Sequence, residues 1–116
     1  MCGFTGYLAP GQIDQLDNLN IIQDMTNSLY HRGPDSEGFW SDSSDGISLG
    51  FRRLAILDTS SNGNQPMQSS NGQYVIVFNG EIYNHLDLRE EIDAFYSGKK
   101  VWFSGSDTET ILSGFE

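Results

Sequence analysis

The chain begins Met1-Cys2-Gly3-Phe4-Thr5-Gly6-Tyr7-Leu8, and Cys2 is the only cysteine in its 116 residues. Aromatic and apolar residues set among small ones predict a short strand here, closed by a turn at Pro10-Gly11. If Met1 is trimmed, the thiol and the new free α-amine share one residue at the start of that strand. Cysteine is small enough for such trimming to be expected. An α-amine titrates at about 7.7 to 8, so near neutral pH it is partly unprotonated and can take the thiol proton directly or through one water. A threonine nucleophile activated by its own terminal amine works in the same way. On the terminus alone, the favoured reading of a lone cysteine is a small buried hydrophobe with little chemistry.

Outward from this strand, Ile13, Leu16, Leu19, Ile22, Met25 and Leu29 recur at three- and four-residue steps. They predict an amphipathic helix over about 13–30, packed on a sheet. Gly33 and Pro34 oppose helical continuation, so His31-Arg32-Gly33-Pro34-Asp35 reads as a loop. Phe39-Trp40 predicts a strand, Ser41 to Gly46 a hairpin connection, and Ile47, Leu49 and Phe51 a half-buried strand that resumes through Leu54, Ile56 and Leu57. Thr59 to Asn71 reads as an irregular excursion.

Tyr74 to Phe78 is a continuous apolar run, expected as a central strand buried on both faces and ended by Asn79-Gly80, residues that tolerate positive φ. Asn84 and Asp87 resemble a helix start, with Leu88, Ile92 and Phe95 as its apolar stripe and Gly98 as its stop. Val101-Trp102-Phe103 predicts one more short strand. Ser106-Asp107-Thr108-Glu109 fits a capping box for a third helix, with Ile111, Leu112 and Phe115 on its apolar face. Strands and helices interleave, so the class is mixed α and β, in one domain.

Sixteen acidic residues against six basic ones give a formal charge of −10, which opposes binding to nucleic acid or to an anionic membrane surface. No apolar stretch is long enough to cross a bilayer and no basic segment leads into an apolar one, so cytoplasm is the default location. A single cysteine excludes an intramolecular disulfide, and His31 and His85 stand apart without metal-ligand spacing.

Six phrases occur in order along nearly the whole chain: Met1 to Phe4, His31 to Asp35, Leu49-Gly50-Phe51-Arg52-Arg53-Leu54, Gly63-Asn64-Gln65-Pro66-Met67, Phe78-Asn79-Gly80-Glu81-Ile82-Tyr83-Asn84, and Ser104 to Glu109. Together they resemble the glutamine-hydrolysing domain of asparagine synthetase. The Arg-Gly-Pro-Asp form favours this branch over the sugar-phosphate and purine amidotransferases. The resemblance implies an α+β N-terminal-nucleophile hydrolase, a four-layer αββα sandwich with antiparallel sheets. The third helix reaches Glu116 without a stop signal, so the expectation is a domain truncated at its C-terminal end. Residues 1–116 would then be an incomplete type 2 glutamine amidotransferase domain, with the synthetase domain absent.

The same resemblance assigns roles. Cys2 would attack the side-chain amide of L-glutamine and pass through a thioester, with the Asn79 amide and the Gly80 N–H as the oxyanion hole. Arg53 would meet the α-carboxylate, Asp107 the α-ammonium, and Glu81 would take a similar part beside the oxyanion loop. Arg32 and Gly33 would buttress the terminal cysteine, and His31 would be structural. Each role has a plainer counterpart: Asn79-Gly80 as a hairpin turn, Arg53 in a surface ion pair, and Asp107 as an acid welcomed by a helix dipole. No metal or cofactor is implied in this chain, ATP and magnesium belonging to the missing synthetase domain. Uncovered sheet edges and apolar faces would invite self-association. The alternative is a catalytically silent fragment that keeps the fold and holds glutamine or a partner.

Overall fold

The computed structural model describes residues 1–11, 14–55, 60–98 and 100–116. Two hairpin-related segments and the leading strand build its main sheet: β1 (Gly3–Leu8), β2 (Ser36–Asp42) and β3 (Ile47–Arg53), all antiparallel, in the order β1-β3-β2. β3 is central, with Gly3 opposite Arg52, Leu8 opposite Ile47, and Ser36 opposite Arg53. The β2–β3 turn is organised by Asp42, whose carboxylate accepts the Ser44 hydroxyl and the Ser44 and Asp45 N–H groups. The Ser44 hydroxyl and then those amides hold the Asp42 carboxyl below its usual range.

Helix α1 (Gln15–Asn27), capped by Asp14 through the Leu16 N–H, lies on one face of this sheet. The expected helix is therefore present but shorter, Ile13 lies outside the described residues, and Tyr30–Arg32 forms a separate 3-10 turn. The face it buries also differs from the apolar stripe. Ile22 and Thr26 are fully buried, while Leu16 and Leu19 are 65% and 47% exposed. The cause lies in β3: a side chain on Gly50 would collide with the Thr26 hydroxyl, so only a bare backbone lets α1 settle there. Ser48 completes the seat, donating to Asn18 at 2.7 Å. Ser48 and Gly50 are thus the buried positions of β3 beneath the helix, and Ile47 and Leu49 on the other face are half-buried. Leu54 lies past the end of β3, and Ile56, Leu57 and Thr59 lie outside the described residues.

The second half is built on less backbone pairing than its apolar runs suggest. β4 (Met67–Gln68) and β5 (Val75–Ile76) form a two-stranded antiparallel sheet, so the predicted long central strand over Tyr74 to Phe78 shrinks to a half-buried pair of residues. Beyond it the Gln65 side chain takes the place of a neighbouring strand: its oxygen accepts the Phe78 N–H at 2.6 Å and its amide donates to the Phe78 carbonyl at 3.2 Å. Helix α2 (His85–Phe95) starts after Asn84, though the Asn84 side chain makes no capping bond, and its turn into positive φ comes at Ser97, one residue before the expected Gly98.

The predicted strand at Val101 to Phe103 does not form. Side chains take amides at and beside its ends instead, with Asp93 accepting the Lys100 N–H and Glu109 accepting the Phe103 and Ser104 N–H groups at 2.9 and 2.8 Å. Helix α3 (Asp107–Phe115) is capped by Ser106 through the Thr108 N–H, as expected. The reciprocal half of the box is displaced, because Glu109 reaches back past Ser106 to those upstream amides. α3 packs on β4 and β5, and α2 packs on α3. No helix among the described residues is long and apolar enough to cross a membrane.

Candidate active site

Cys2 lies one residue before β1, and extending the register beyond the Gly3–Arg52 pair sets it opposite Arg53 on the same face of the sheet. Its sulfur is held by the chain that leaves β3: the Leu54 N–H donates to Sγ at 3.3 Å and Sγ donates to the Leu54 carbonyl at 3.4 Å. Met1 is 72% exposed, within reach of a processing enzyme.

The loop at His31 to Asp35 supports this arrangement from behind. Arg32 Nη2 donates to the Cys2 carbonyl at 3.4 Å. Asp35 N–H donates to the Arg53 carbonyl at 3.0 Å, and the Asp35 carboxylate accepts the Ala55 N–H at 2.8 Å. Gly33 is buried directly against β3, where a Cβ would run into the Arg52 carbonyl group and the Arg53 nitrogen. Backbone lies on backbone here, so no side chain fits. His31 is exposed on the 3-10 turn.

Cys2, Arg53, Asn79, Gly80, Glu81 and Asp107 line one cavity of about 140 Å³, whose walls are completed by Phe51, Leu54, Gly63, Gln65, Phe78, Ser106 and Thr108. Arg53 is buried, and its Nη1 donates to the Ser60 carbonyl at 2.6 Å and to Asn64 Oδ1 at 2.7 Å, which holds the fork in place. Arg52 points to the opposite face, where it meets Glu37 at 2.6 Å and lies over the Tyr30 ring. Asn79 and Gly80 are exposed at the cavity edge, as is Glu81. Among the described residues positive φ occurs at Ser97, Gly11, Gly46 and Gly72. Asn79 and Gly80 do not share it, so they are not the paired left-handed residues of a tight hairpin turn. Asp107 is buried at the start of α3, and its Oδ2 accepts the Ile82 N–H at 2.7 Å.

Comparison with known proteins covers the whole chain. A family model described as "Glutamine amidotransferase domain" matches residues 1–116. The chain belongs to the glutamine amidotransferase domain family. Among its relatives are asparagine synthetase [glutamine-hydrolyzing] 1 of Bacillus subtilis (strain 168), 42% identical over 99% of this chain, and asparagine synthetase [glutamine-hydrolyzing] 2 of the same organism, 35% identical over 100%. Asparagine synthetase [glutamine-hydrolyzing] 1 of Arabidopsis thaliana is 32% identical over 100% of the chain. These alignments cover 17%, 15% and 18% of the three relatives, so the chain spans about a sixth of their length.

Within this glutamine amidotransferase domain, sequence reasoning passed over residues that shape the site. Gln65 stood in a quoted phrase without a role, yet it is buried in the cavity wall and joins Phe78 to α3 by donating to the Thr108 hydroxyl at 3.1 Å. A glutamine before proline in an otherwise irregular stretch was the available signal. Thr108 and Leu54 carried none, because one acts through its hydroxyl as an acceptor and the other through its backbone.

Proposed function

We propose that this chain is a glutaminase, converting L-glutamine and water to glutamate and ammonia with Cys2 as nucleophile. The observation that carries the proposal is the convergence of Cys2, Arg53, Asn79-Gly80 and Asp107 on one cavity although they lie far apart in sequence. With Met1 removed, the α-amine of Cys2 takes the thiol proton as sulfur attacks the side-chain carbonyl carbon. The oxyanion that forms is met by the Asn79 side-chain amide and the Gly80 N–H. Donors of this kind are worth on the order of 10²–10³ in turnover when one is removed from a hydrolase. Collapse of the intermediate breaks the C–N bond, the α-ammonium returns the proton to the departing ammonia, and a thioester remains. Water then attacks the thioester, releasing glutamate and restoring the thiol.

Substrate orientation falls to two opposite charges. Arg53 pairs with the α-carboxylate, in the fork geometry that suits a carboxylate. Asp107 takes the α-ammonium, with Glu81 adding negative potential at the rim, while Arg32 and Gly33 keep Cys2 in place from behind. The fold reading follows the same family logic: α1, the three-stranded sheet, the β4–β5 pair and the α2–α3 pair correspond to the four layers of an N-terminal-nucleophile sandwich, of which 1–116 is a part.

The relatives are named as asparagine synthetases, and the released ammonia is proposed to serve ATP-dependent asparagine synthesis in a synthetase domain beyond this chain. ATP and magnesium would act in that further domain, and no step is assigned to them here. Apolar side chains such as Phe95 at 82% exposure and Leu8 at 67% support association with that further domain or with a second copy. The test is glutamate release from L-glutamine by the purified chain, paired with intact mass and a Cys2→Ala variant. Loss of Met1 and activity abolished in Cys2→Ala are expected. Equal rates for the two proteins, or a retained Met1 with no turnover, leave the silent glutamine- or partner-binding module as the better reading.

A further inference from the structure

Arg89, on α2 and outside the cavity, holds the turn from which Asp107 projects. Its guanidinium spends its donors on that turn: Nη1 donates to the Ser104 carbonyl at 3.0 Å, Nη2 to the Ser106 carbonyl at 2.7 Å, and Nε to the Thr110 hydroxyl at 2.8 Å. The group lies over the Trp102 ring at 4.2 Å, and its side chain is 12% exposed. Burial lowers its pKa and the facing carboxylates of Glu109, Asp93 and Asp107 oppose that shift. From the other side, Glu109 accepts the Phe103 and Ser104 N–H groups and the Ser104 hydroxyl. The peptide carbonyls are thus clamped by one charge and the amides by its opposite. The next side chain after this clamped turn is Asp107, which accepts the Ile82 N–H of the loop that leads into α2. The connections close a ring running from α2 through Arg89 and the turn to Asp107, and back through Ile82 to α2.

We propose that Arg89 is a positioning residue for substrate selectivity, fixing Asp107 where it recognises the α-ammonium of an amino acid; this rests on the glutaminase reading above. A planar fork whose two nitrogens reach two carbonyls sets the spacing of those carbonyls, and a lysine, with a single ammonium on a flexible stem, cannot reproduce it. Arg89→Lys therefore keeps the charge beside Glu109 and releases the geometry.

The readout is a preference rather than an affinity. Calorimetric titration on a Cys2→Ala background, which prevents turnover, compares L-glutamine with 4-carbamoylbutanoate, the same molecule without its α-ammonium. Arg89→Lys is expected to cut the preference for glutamine by about tenfold, equivalent to about 1.4 kcal/mol. Affinity for 4-carbamoylbutanoate should stay within about twofold, because Arg53 and the amide-binding groups are untouched. Should Arg89→Lys unfold, the near-isosteric Thr110→Val, which removes only the Nε anchor, carries the test with an expected loss of about threefold in the same ratio. A weakening shared equally by both compounds marks a merely structural residue and overturns the proposal. If the Cys2→Ala protein with Arg89 intact binds neither compound, the glutaminase reading itself fails, and this inference goes with it.

Discussion

The Asp107 carboxylate accepts the Ile82 backbone N–H at 2.7 Å across 25 residues of sequence, tying the first turn of α3 to the loop that follows Asn79 and Gly80. A helix dipole explains why an acid is welcome at the start of α3. It does not explain why that acid is buried, faces a cavity and reaches a second loop. The bond makes the proposed ammonium site and the proposed oxyanion loop parts of one rigid corner, and a substrate spanning them meets both at fixed separation.

Asp107→Asn separates charge from geometry. Its side-chain oxygen can still accept from Ile82, so stability should change by no more than about 1 kcal/mol. The lost charge-assisted bond to an ammonium, about 1.5–3 kcal/mol, should weaken glutamine binding roughly 10- to 100-fold. Calorimetry reads the affinity and urea unfolding the stability. Full-strength binding by the variant sinks the ammonium assignment.

Gly33→Ala places a methyl group against the Arg52 and Arg53 backbone. Neither partner is a flexible side-chain end, so β3 or the loop must shift, at a cost of roughly 1–3 kcal/mol. Because the displaced backbone leads directly into Leu54, which holds the Cys2 sulfur, the rate of Cys2 alkylation by iodoacetamide should change as well. An unaltered urea midpoint together with an unaltered alkylation rate would show that the loop gives way without disturbing the cysteine.

Glu116 supplies a pH test away from the cavity. Burial pushes its carboxyl up, but hydrogen bonds from Lys100, the Ser70 hydroxyl and the Asn71 N–H outweigh that and bring it down from 4.5 to about 2. The folded value lies below the unfolded one, so between them the unfolded chain binds more protons and stability rises with pH. The contribution is complete above about 4.5 and is lost as pH falls towards 2. Urea midpoints should drop between about pH 5 and pH 3, and Glu116→Gln should flatten part of that drop. Parallel curves for the two proteins would mean that the carboxylate is not held as described.

The legible parts of this molecule are those where the backbone pairs with itself. β1, β2, β3 and α1 follow from alternation, helical spacing and the Gly33-Pro34 break, and Ser106 announces α3. The misread parts are those where side chains replace backbone partners. Asp93 and Glu109 take the amides of Lys100, Phe103 and Ser104 at and beside the ends of the expected strand, and Gln65 stands in for a strand beside Phe78. An apolar run reports the wish for burial, not which group will satisfy its N–H. The second covered face of β3 was missed for a related reason: Phe51 is buried on the expected apolar face, but Ser48 and Gly50 look like solvent positions in an alternating pattern, and only the close descent of Thr26 turns them inward. Cys2, Arg53, Asn79 and Asp107 could be singled out by resemblance, whereas Gln65 and Arg89 act through bonds to distant backbone that spacing alone does not reveal.

Gln65 offers the sharpest test of how the oxyanion loop is held. Its amide clasps both polar groups of Phe78, the residue immediately before Asn79, and its nitrogen also reaches Thr108 on α3. Gln65→Glu keeps the acceptor for the Phe78 N–H but sets oxygen against the Phe78 carbonyl. Gln65→Leu leaves the Phe78 N–H and carbonyl without this partner, at roughly 1–3 kcal/mol of stability in urea unfolding. Oxyanion donors act on charge that develops only in the transition state, so misplacing them lowers turnover more than it weakens substrate binding. For Gln65→Glu the expected result is a fall in kcat of at least about tenfold with KM for glutamine within about threefold. A variant that raises KM and leaves kcat intact would place Gln65 in substrate binding instead and remove it from the support of Asn79 and Gly80.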